Sequence, residues 1–149
     1  MYTIDKETDR FNIALTAHDA KKELLVNFCN AYFHIFSQHN LSATGTTAKI
    51  LNTRTELEIT ALFSGEQGGL EQLATNIAYN AVDLLLFFRD PNKRDLGTSN
   101  QNDLELIRLC DIYKIPFATN PGTADALLLA LESGNLNWRL FDRDRYILS

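Results

Sequence analysis

The sequence predicts an α/β domain built on a mainly parallel sheet that carries helices on both faces. The chain has 149 residues, which suits one domain spanning 1–149. Strand-like and helix-like patterns alternate along it four or five times, as in folds made of β–α units. The segment 82–88 is apolar at nearly every position, which is typical of a strand buried on both faces of a parallel sheet.

The first half of the chain contains three strand patterns, and a helix pattern follows each of them. We expect strands at 11–17, 41–43 and 57–63. Asp19 is suited to cap the first helix, whose apolar residues recur at helical spacing. The expected helices cover 19–38, 44–51 and 68–79.

The second half begins with the strand at 82–88 and continues with a polar stretch at 89–101. Pro91 and Gly97 mark this stretch as a loop. A helix, a strand and a helix are then expected at 103–113, 115–119 and 123–132. The tail from 135 onward contains the one tryptophan, Trp138, and has no clear pattern.

Composition argues against several classes of function. The net charge is −5 with 14 Lys+Arg and no dense basic run, so we expect no nucleic-acid partner. No apolar run reaches the ~18–20 residues of a membrane span, and the polar start is unlike a signal peptide. We therefore expect a cytoplasmic protein without a membrane partner.

The cysteines and two of the three histidines have ordinary structural interpretations. Cys29 and Cys110 lie far apart, match no metal spacing and fall in apolar helical patterns, so we expect reduced core thiols and no metal. His34 and His39 lie on or just past a long helix, and we expect both at the surface.

Polar loops rich in small residues follow each predicted strand. In parallel α/β folds, ligands bind beyond the carboxyl ends of the strands, so these loops are candidates for a common site. In chain order they contain His18-Asp19, Thr44-Gly45-Thr46-Thr47, Ser64-Gly65, Arg89-Asp90-Pro91 and Asn120 with 122–125.

The run 44–47 is suited to bind a phosphate. Its glycine lets the backbone approach closely, its hydroxyls donate, and the helix start supplies free N–H groups. Lys22 can add a positive charge, and Ser64-Gly65 another hydroxyl and open backbone. The alternative is that Thr44 is an ordinary helix cap.

Two further strand-end residues have a catalytic and a structural interpretation. His18 followed by Asp19 is either a catalytic pair active near neutral pH or a capped, hydrogen-bonded pair. Asp90 before Pro91 either orients a substrate hydroxyl or starts a turn.

Taken together, these loops resemble the methylglyoxal synthase family. The matching stretches are IALTAHDAKK, ATGTTAKI, LFSGEQGG, VDLLLFFRDPN, LIRLCDIYKIPFATN and GTADALL. The resemblance implies a three-layer fold, similar to flavodoxin or Rossmann domains. It also implies a lyase that removes phosphate from dihydroxyacetone phosphate through an enediolate, without metal or organic cofactor. Homohexamers and regulation by phosphate or related anions are typical of the family.

The resemblance assigns roles residue by residue. His18 and Asp19 correspond to the His-Asp beside the substrate, and Asp90 to a carboxylate that lines the same site. The phosphate-binding set corresponds to Lys22, Thr44, Gly45, Thr46, Thr47, Ser64 and Gly65.

The half of the site that transfers protons departs from the family pattern. Leu70 stands where the family has its proton-abstracting aspartate, and Glu71 and Glu66 are the nearby carboxylates. The loop after Asp90 is about two residues longer and contains no histidine. Its alignment puts Ser99 where the family has histidine and Asn102 where it has aspartate, and only a shift in register would recruit Asp103.

These departures leave three hypotheses open. The first is an active methylglyoxal synthase that uses Glu71 or Glu66 as base, with His18 polarising the carbonyl. The second is a non-catalytic module that binds phosphate or a phosphorylated metabolite. The third is a different reaction on a small phosphorylated substrate. The fold alone does not choose among them.

Overall fold

The computed structural model describes residues 10–62, 69–93 and 98–148, and within these ranges it contains a five-stranded sheet. Each strand falls inside or next to a segment where the apolar patterns predicted one. The strands are β1 (Asn12–Ala17), β2 (Asn40–Ala43), β3 (Ile59–Ala61), β4 (Leu84–Phe88) and β5 (Phe117–Ala118).

Every pairing in this sheet is parallel, and the strand order is β3-β2-β1-β4-β5. β1 is central, with Asn12 opposite Asn40 of β2 and Ile13 opposite Leu84 of β4. The chain moves outward in one direction from β1 and in the other from β4. The loops after these two strands therefore separate at their carboxyl ends and leave a crevice, where parallel α/β folds bind ligands.

The helices also follow the predicted alternation. They are α1 (Lys22–Ala31), α2 (Phe33–Phe36), α3 (Gly45–Arg54), α4 (Gly69–Ala78), α5 (Thr98–Ile112), α6 (Pro121–Glu132) and α7 (Asn137–Leu148). No described helix is both long and apolar enough to cross a membrane.

The largest differences from the prediction are found in three places. The helix expected at 19–38 is a 3₁₀ turn, Asp19–Lys21, followed by α1 and α2, with Tyr32 outside helical geometry. The loop expected to reach 101 is shorter, because α5 begins at Thr98. The unassigned tail forms α7.

Two apolar clusters lie on opposite faces of the sheet and confirm the three-layer α/β prediction. Because side chains alternate along a strand, Leu84, Leu86 and Phe88 of β4 pack with α1, α3 and α6. Leu85 and Phe87 face α4 and α5 on the other side. Cys29 and Cys110 are buried in these clusters, one in each, as expected.

A buried ion cluster anchors α7 at the amino end of the sheet, and the sequence had not indicated it. Arg139 is 1% exposed and donates from Nε to Oδ1 of Asp83 at 3.2 Å. Arg143 donates to the other oxygen of Asp83 at 2.5 Å, and the Asn12 N–H donates to that oxygen at 2.8 Å. The Asp83 carboxylate therefore joins α7 to the starts of β1 and β4.

His39 differs from the expectation of a surface histidine, whereas His34 is exposed as expected. The Nδ1 atom of His39 accepts a hydrogen bond from the Phe11 N–H at 3.2 Å, and its ring meets the Phe11 ring edge-on. Burial is the main cause that lowers the pKa of His39 to about 4, with help from the charge of Arg10.

Candidate active site at the carboxyl edge of the sheet

The loops after β1, β2 and β4 meet the start of α4 and the first half of α5 around one cavity of about 620 Å³. It opens at the carboxyl edge of the sheet, beside the crevice between β1 and β4. The structure thus brings together His18 and Asp103, which lie 85 positions apart in the chain. The polar residues in its wall are Thr16, His18, Asp19, Lys22, Thr44, Thr46, Thr47, Lys93, Asn102 and Asp103, and Leu70 is one of its apolar residues.

The threonine run forms one end of this cavity. Thr44 has extended backbone geometry immediately before α3, but its side chain makes no cap hydrogen bond to the described part of that helix. Its hydroxyl lies 3.5 Å from the hydroxyl of Thr47, and both residues are buried. The first intrahelical bond is donated by Ala48, which leaves the N–H groups of the first turn available to an anion.

Lys22 and Asp19 form an ion pair at the rim of the cavity. The hydrogen bond and the charge of Lys22 lower the pKa of Asp19, and Lys93 contributes in the same direction. The Asp19 side chain is 95% exposed, whereas that of Lys22 is 20% exposed. The lysine charge therefore lies at the cavity wall, and most of the Asp19 carboxylate faces solvent.

His18 lies at the centre of the site and is held at both ring nitrogens. Its Nδ1 accepts a hydrogen bond from the Asp90 backbone N–H at 2.8 Å, and its Nε2 lies 2.9 Å from Oδ2 of Asp103. Because Nδ1 acts as an acceptor, the ring proton is on Nε2, which donates to Asp103. The side chain of Asp103 is only 7% exposed. The carboxylate paired with His18 is therefore Asp103, whereas the adjacent Asp19 is paired with Lys22.

Asp103 was the residue that only a register shift would have recruited. The structure brings both Asn102 and Asp103 to the cavity wall, and Asp103 is the one that contacts His18. Asp103, Leu106 and Cys110 recur at helical spacing and are all buried, so Asp103 lies on the face of α5 that packs on the sheet. The sequence analysis did not use the signal that distinguishes this position, which is a carboxylate at the head of an apolar helical stripe.

Asp90 takes part through its backbone. Its N–H holds His18, and its Oδ1 accepts from the N–H of Asn92 at 2.9 Å, which is the turn-forming alternative for this residue. Asp90 lines an adjacent cavity instead of the first one, and Lys93 lines both.

Glu71 and Glu66, the carboxylates nearest to Leu70 in the chain, are not found in the described cavity wall. Leu70 lies in the cavity wall and packs against the second apolar cluster. Glu71 is exposed and is not part of the described lining. Ser64, Gly65 and Glu66 lie outside the residues that the structure describes, as does the side chain of Ser99.

Neither a metal centre nor a reactive thiol is found in the described part of the chain. Within those ranges no three His, Cys, Asp or Glu side chains are grouped so as to hold a metal ion. Burial raises the pKa of both Cys29 and Cys110 to about 12, and neither thiol lines the cavity.

The fold and the site define an α/β domain with a threonine cradle, formed by Thr44, Thr46 and Thr47 at the start of α3, and a His–carboxylate pair at the carboxyl edge of a parallel sheet. Residues 24–119 match the family model described as "MGS-like domain". The chain therefore belongs to the MGS-like, or methylglyoxal synthase-like, domain family, as the loop motifs predicted.

The chain is also similar to individual proteins named methylglyoxal synthase. The methylglyoxal synthase of Caldicellulosiruptor saccharolyticus is 47% identical over 128 residues, which cover 86% of this chain and 89% of that protein. That of Lysinibacillus sphaericus is 46% identical over 134 residues, covering 89% and 98%. The crystal structure of methylglyoxal synthase from Elizabethkingia anophelis matches with a TM-score of 0.72 and 35% identity, covering 80% and 78% of the two chains.

Proposed function

We propose that this protein eliminates phosphate from dihydroxyacetone phosphate to form methylglyoxal. The observation that carries the proposal is the contact between His18 and Asp103 in the same cavity as the threonine cradle. This elimination requires a binding site for the phosphoryl group of the substrate and a pair of side chains that transfers the proton. The names of the relatives support the same reaction.

The phosphoryl group binds at the end of the cavity formed by Lys22 and the start of α3. The lysine charge, the hydroxyls of Thr46 and Thr47 and the first N–H groups of α3 all favour a dianion there. Ser64 and Gly65 remain predicted members of this set. No organic cofactor or metal is required, because phosphate is a good leaving group once an enediolate has formed.

We assign Asp103 as the base and His18 as the group that polarises the carbonyl. Asp19 and Asp103 are the carboxylates in the described cavity wall, and Asp19 is engaged by Lys22. Asp103 takes a proton from the carbon next to the carbonyl, and the electron pair forms the enediolate. As Asp103 takes up this proton, it no longer needs the hydrogen bond from His18, and the Nε2–H of His18 then donates to the enediolate oxygen and stabilises its charge. The enediolate then expels phosphate as the C–O bond breaks, and the resulting enol tautomerises to methylglyoxal.

A second candidate function is the binding of a phosphorylated metabolite without turnover. Leu70 favours this alternative, because an apolar side chain occupies the wall where the resemblance places the proton-abstracting aspartate. In that case the cradle binds the phosphate, and the His18–Asp103 pair only holds the loop after β4.

The test is the incubation of the purified protein with dihydroxyacetone phosphate, followed by measurement of both phosphate and methylglyoxal. We expect equal amounts of the two products, formed well above the background of the non-enzymatic reaction. Phosphate binding is measured on the same sample by calorimetry. Binding without product formation would reject the lyase and support the second candidate.

Homohexamer formation and a cytoplasmic location stay predictions from the resemblance and the composition. Light scattering of the purified full chain checks the first. A fluorescent fusion observed in the source cells checks the second.

A further inference from the structure

A second cavity of about 500 Å³ lies beside the first, on the other side of the loop after β4. Lys21 of the 3₁₀ turn, Arg89 at the end of β4 and Lys93 in the loop line it. We propose that this second cavity binds a phosphate dianion, either free or attached to a small carbon chain, as a site separate from the threonine cradle.

The three cations of this cavity differ from most others in the described part of the chain. Arg54 and Arg108 are each paired with a glutamate, and other basic residues pair with Asp19 or Asp83. Among the described residues, no carboxylate lies within ion-pair distance of Lys21, Arg89 or Lys93. Three cations without an ion-pair partner among the described residues therefore line one cavity of a protein whose net charge is −5.

Arg89 supplies the most specific observation. Its Nε is buried and has no hydrogen-bond partner among the described residues. The guanidinium carbon lies 6.0 Å from the centre of the Phe87 ring. A buried donor without an acceptor is uncommon in native structures, so the described residues alone do not satisfy the Arg89 guanidinium. The planar guanidinium is the side chain best matched to the oxygens of a phosphate.

The one carboxylate in the cavity wall does not neutralise these cations. Oδ1 of Asp90 accepts the Asn92 N–H, and no lysine or arginine of the described ranges forms an ion pair with it. A concave surface with excess charge of one sign concentrates small ions of the other sign. The volume lies in the range of about 300–1,000 Å³ that is usual for small-molecule pockets.

The two cavities are separable by mutation, because only Lys93 lines both of them. Lys21 and Arg89 line the second, whereas Thr46 lines the first. Loss of Lys93 should therefore weaken anion binding in both cavities. Loss of Lys21 should weaken it only in the second cavity, and loss of Thr46 only in the first.

The experiment is a titration of the full-length protein with inorganic phosphate, followed by calorimetry and ³¹P NMR. We expect two phosphates per chain in the wild type and one in the double variant Lys21→Gln, Arg89→Gln. Thr46→Val should weaken the phosphate at the threonine cradle and leave the phosphate in the second cavity unchanged. Lys49→Gln removes an exposed lysine on α3 that lines neither cavity, and it should keep both phosphates.

Arg89 is partly buried, so the double variant is checked for folding by circular dichroism. If the double variant does not fold, the single variant Lys21→Gln tests the proposed second site. It should weaken the second phosphate about tenfold, the effect of one charge-assisted hydrogen bond. One phosphate per chain in the wild type, or two undiminished phosphates in Lys21→Gln, would overturn the proposal.

A parallel titration with glycerol 3-phosphate distinguishes the sources of the anion. If glycerol 3-phosphate binds the second cavity more tightly than inorganic phosphate does, the ligand of this cavity is a phosphorylated metabolite. Equal or weaker binding indicates that the ligand is free phosphate. These readouts do not involve turnover. An inactive protein that still binds two phosphates would reject the proposed lyase and leave this inference standing.

Discussion

Replacement of Asp103 by asparagine tests the assignment of the base with little change in shape. The asparagine side-chain oxygen can still accept from Nε2 of His18, where the native distance is 2.9 Å. The hydrogen bond to the histidine is therefore kept, and the ability to take a proton is lost. Asp103 is not part of the threonine cradle, so phosphate binding should be unchanged.

General base catalysis contributes about 10²–10⁴ in rate, so kcat should fall by that factor, which corresponds to about 2.7–5.4 kcal/mol in the barrier. The upper part of this range is expected, because the Asp103 side chain is only 7% exposed and bulk water has little access to replace it. KM should change by less than about threefold, since the loss is confined to the transition state.

The assay measures methylglyoxal and phosphate release by Asp103→Asn across a range of dihydroxyacetone phosphate concentrations. Asp111→Asn, at an exposed position of the same helix α5, is the matched control and should retain wild-type turnover. Asp103→Glu should recover part of the activity, because it restores a carboxylate with a longer arm. If Asp103→Asn turns over within twofold of the wild type, Asp103 is not the base.

Three other expectations follow from the same geometry. Glu71→Gln should retain turnover, because Glu71 is exposed outside the described cavity lining; a loss like that of Asp103→Asn would instead make Glu71 the base. Asp83→Asn should lower the free energy of unfolding by about 3–5 kcal/mol and Tm by about 6–20 °C, because it leaves buried Arg139 without its counter-charge. Glu23→Gln, in an exposed pair, is its control in thermal unfolding, and equal shifts in both variants would contradict the argument. The lowered pKa of His39 means that the unfolded chain binds more protons between about pH 6.5 and 4, so stability should decrease as pH falls through that window. Urea unfolding at several pH values should show a flatter profile for His39→Gln, and an unchanged slope would contradict this origin.

Patterns local in the chain were sufficient to predict the layers of the fold. The apolar run 82–88 predicted a strand buried on both faces. The structure confirms it, because the residues of β4 alternate between the two apolar clusters. The strand-end position of the run 44–47 was also predictable, because the carboxyl ends of parallel strands share one edge. The family resemblance rested on these same loops, and the comparisons confirm it.

Boundaries were less accurate where competing local signals are weak. The first helix breaks at Tyr32 although its apolar spacing continues, and α5 begins inside a segment whose composition is that of a loop. In both places the helix preferences of individual residues are too weak to fix the boundary.

The sequence by itself therefore determined the fold class and the position of the threonine run at the carboxyl edge of the sheet, because each depends on patterns within single segments of the chain. Only the tertiary structure decided that Asp103 contacts His18, since the angle at which α5 packs on the sheet joins residues 85 positions apart. The same is true of Leu70 facing the cavity while Glu71 faces solvent, and of the cations of the second cavity. Such side-chain contacts depend on the rotation of each helix about its own axis. Neighbouring residues of a helix point about 100° apart, so a shift of one residue in register would bring a different side chain to the cavity.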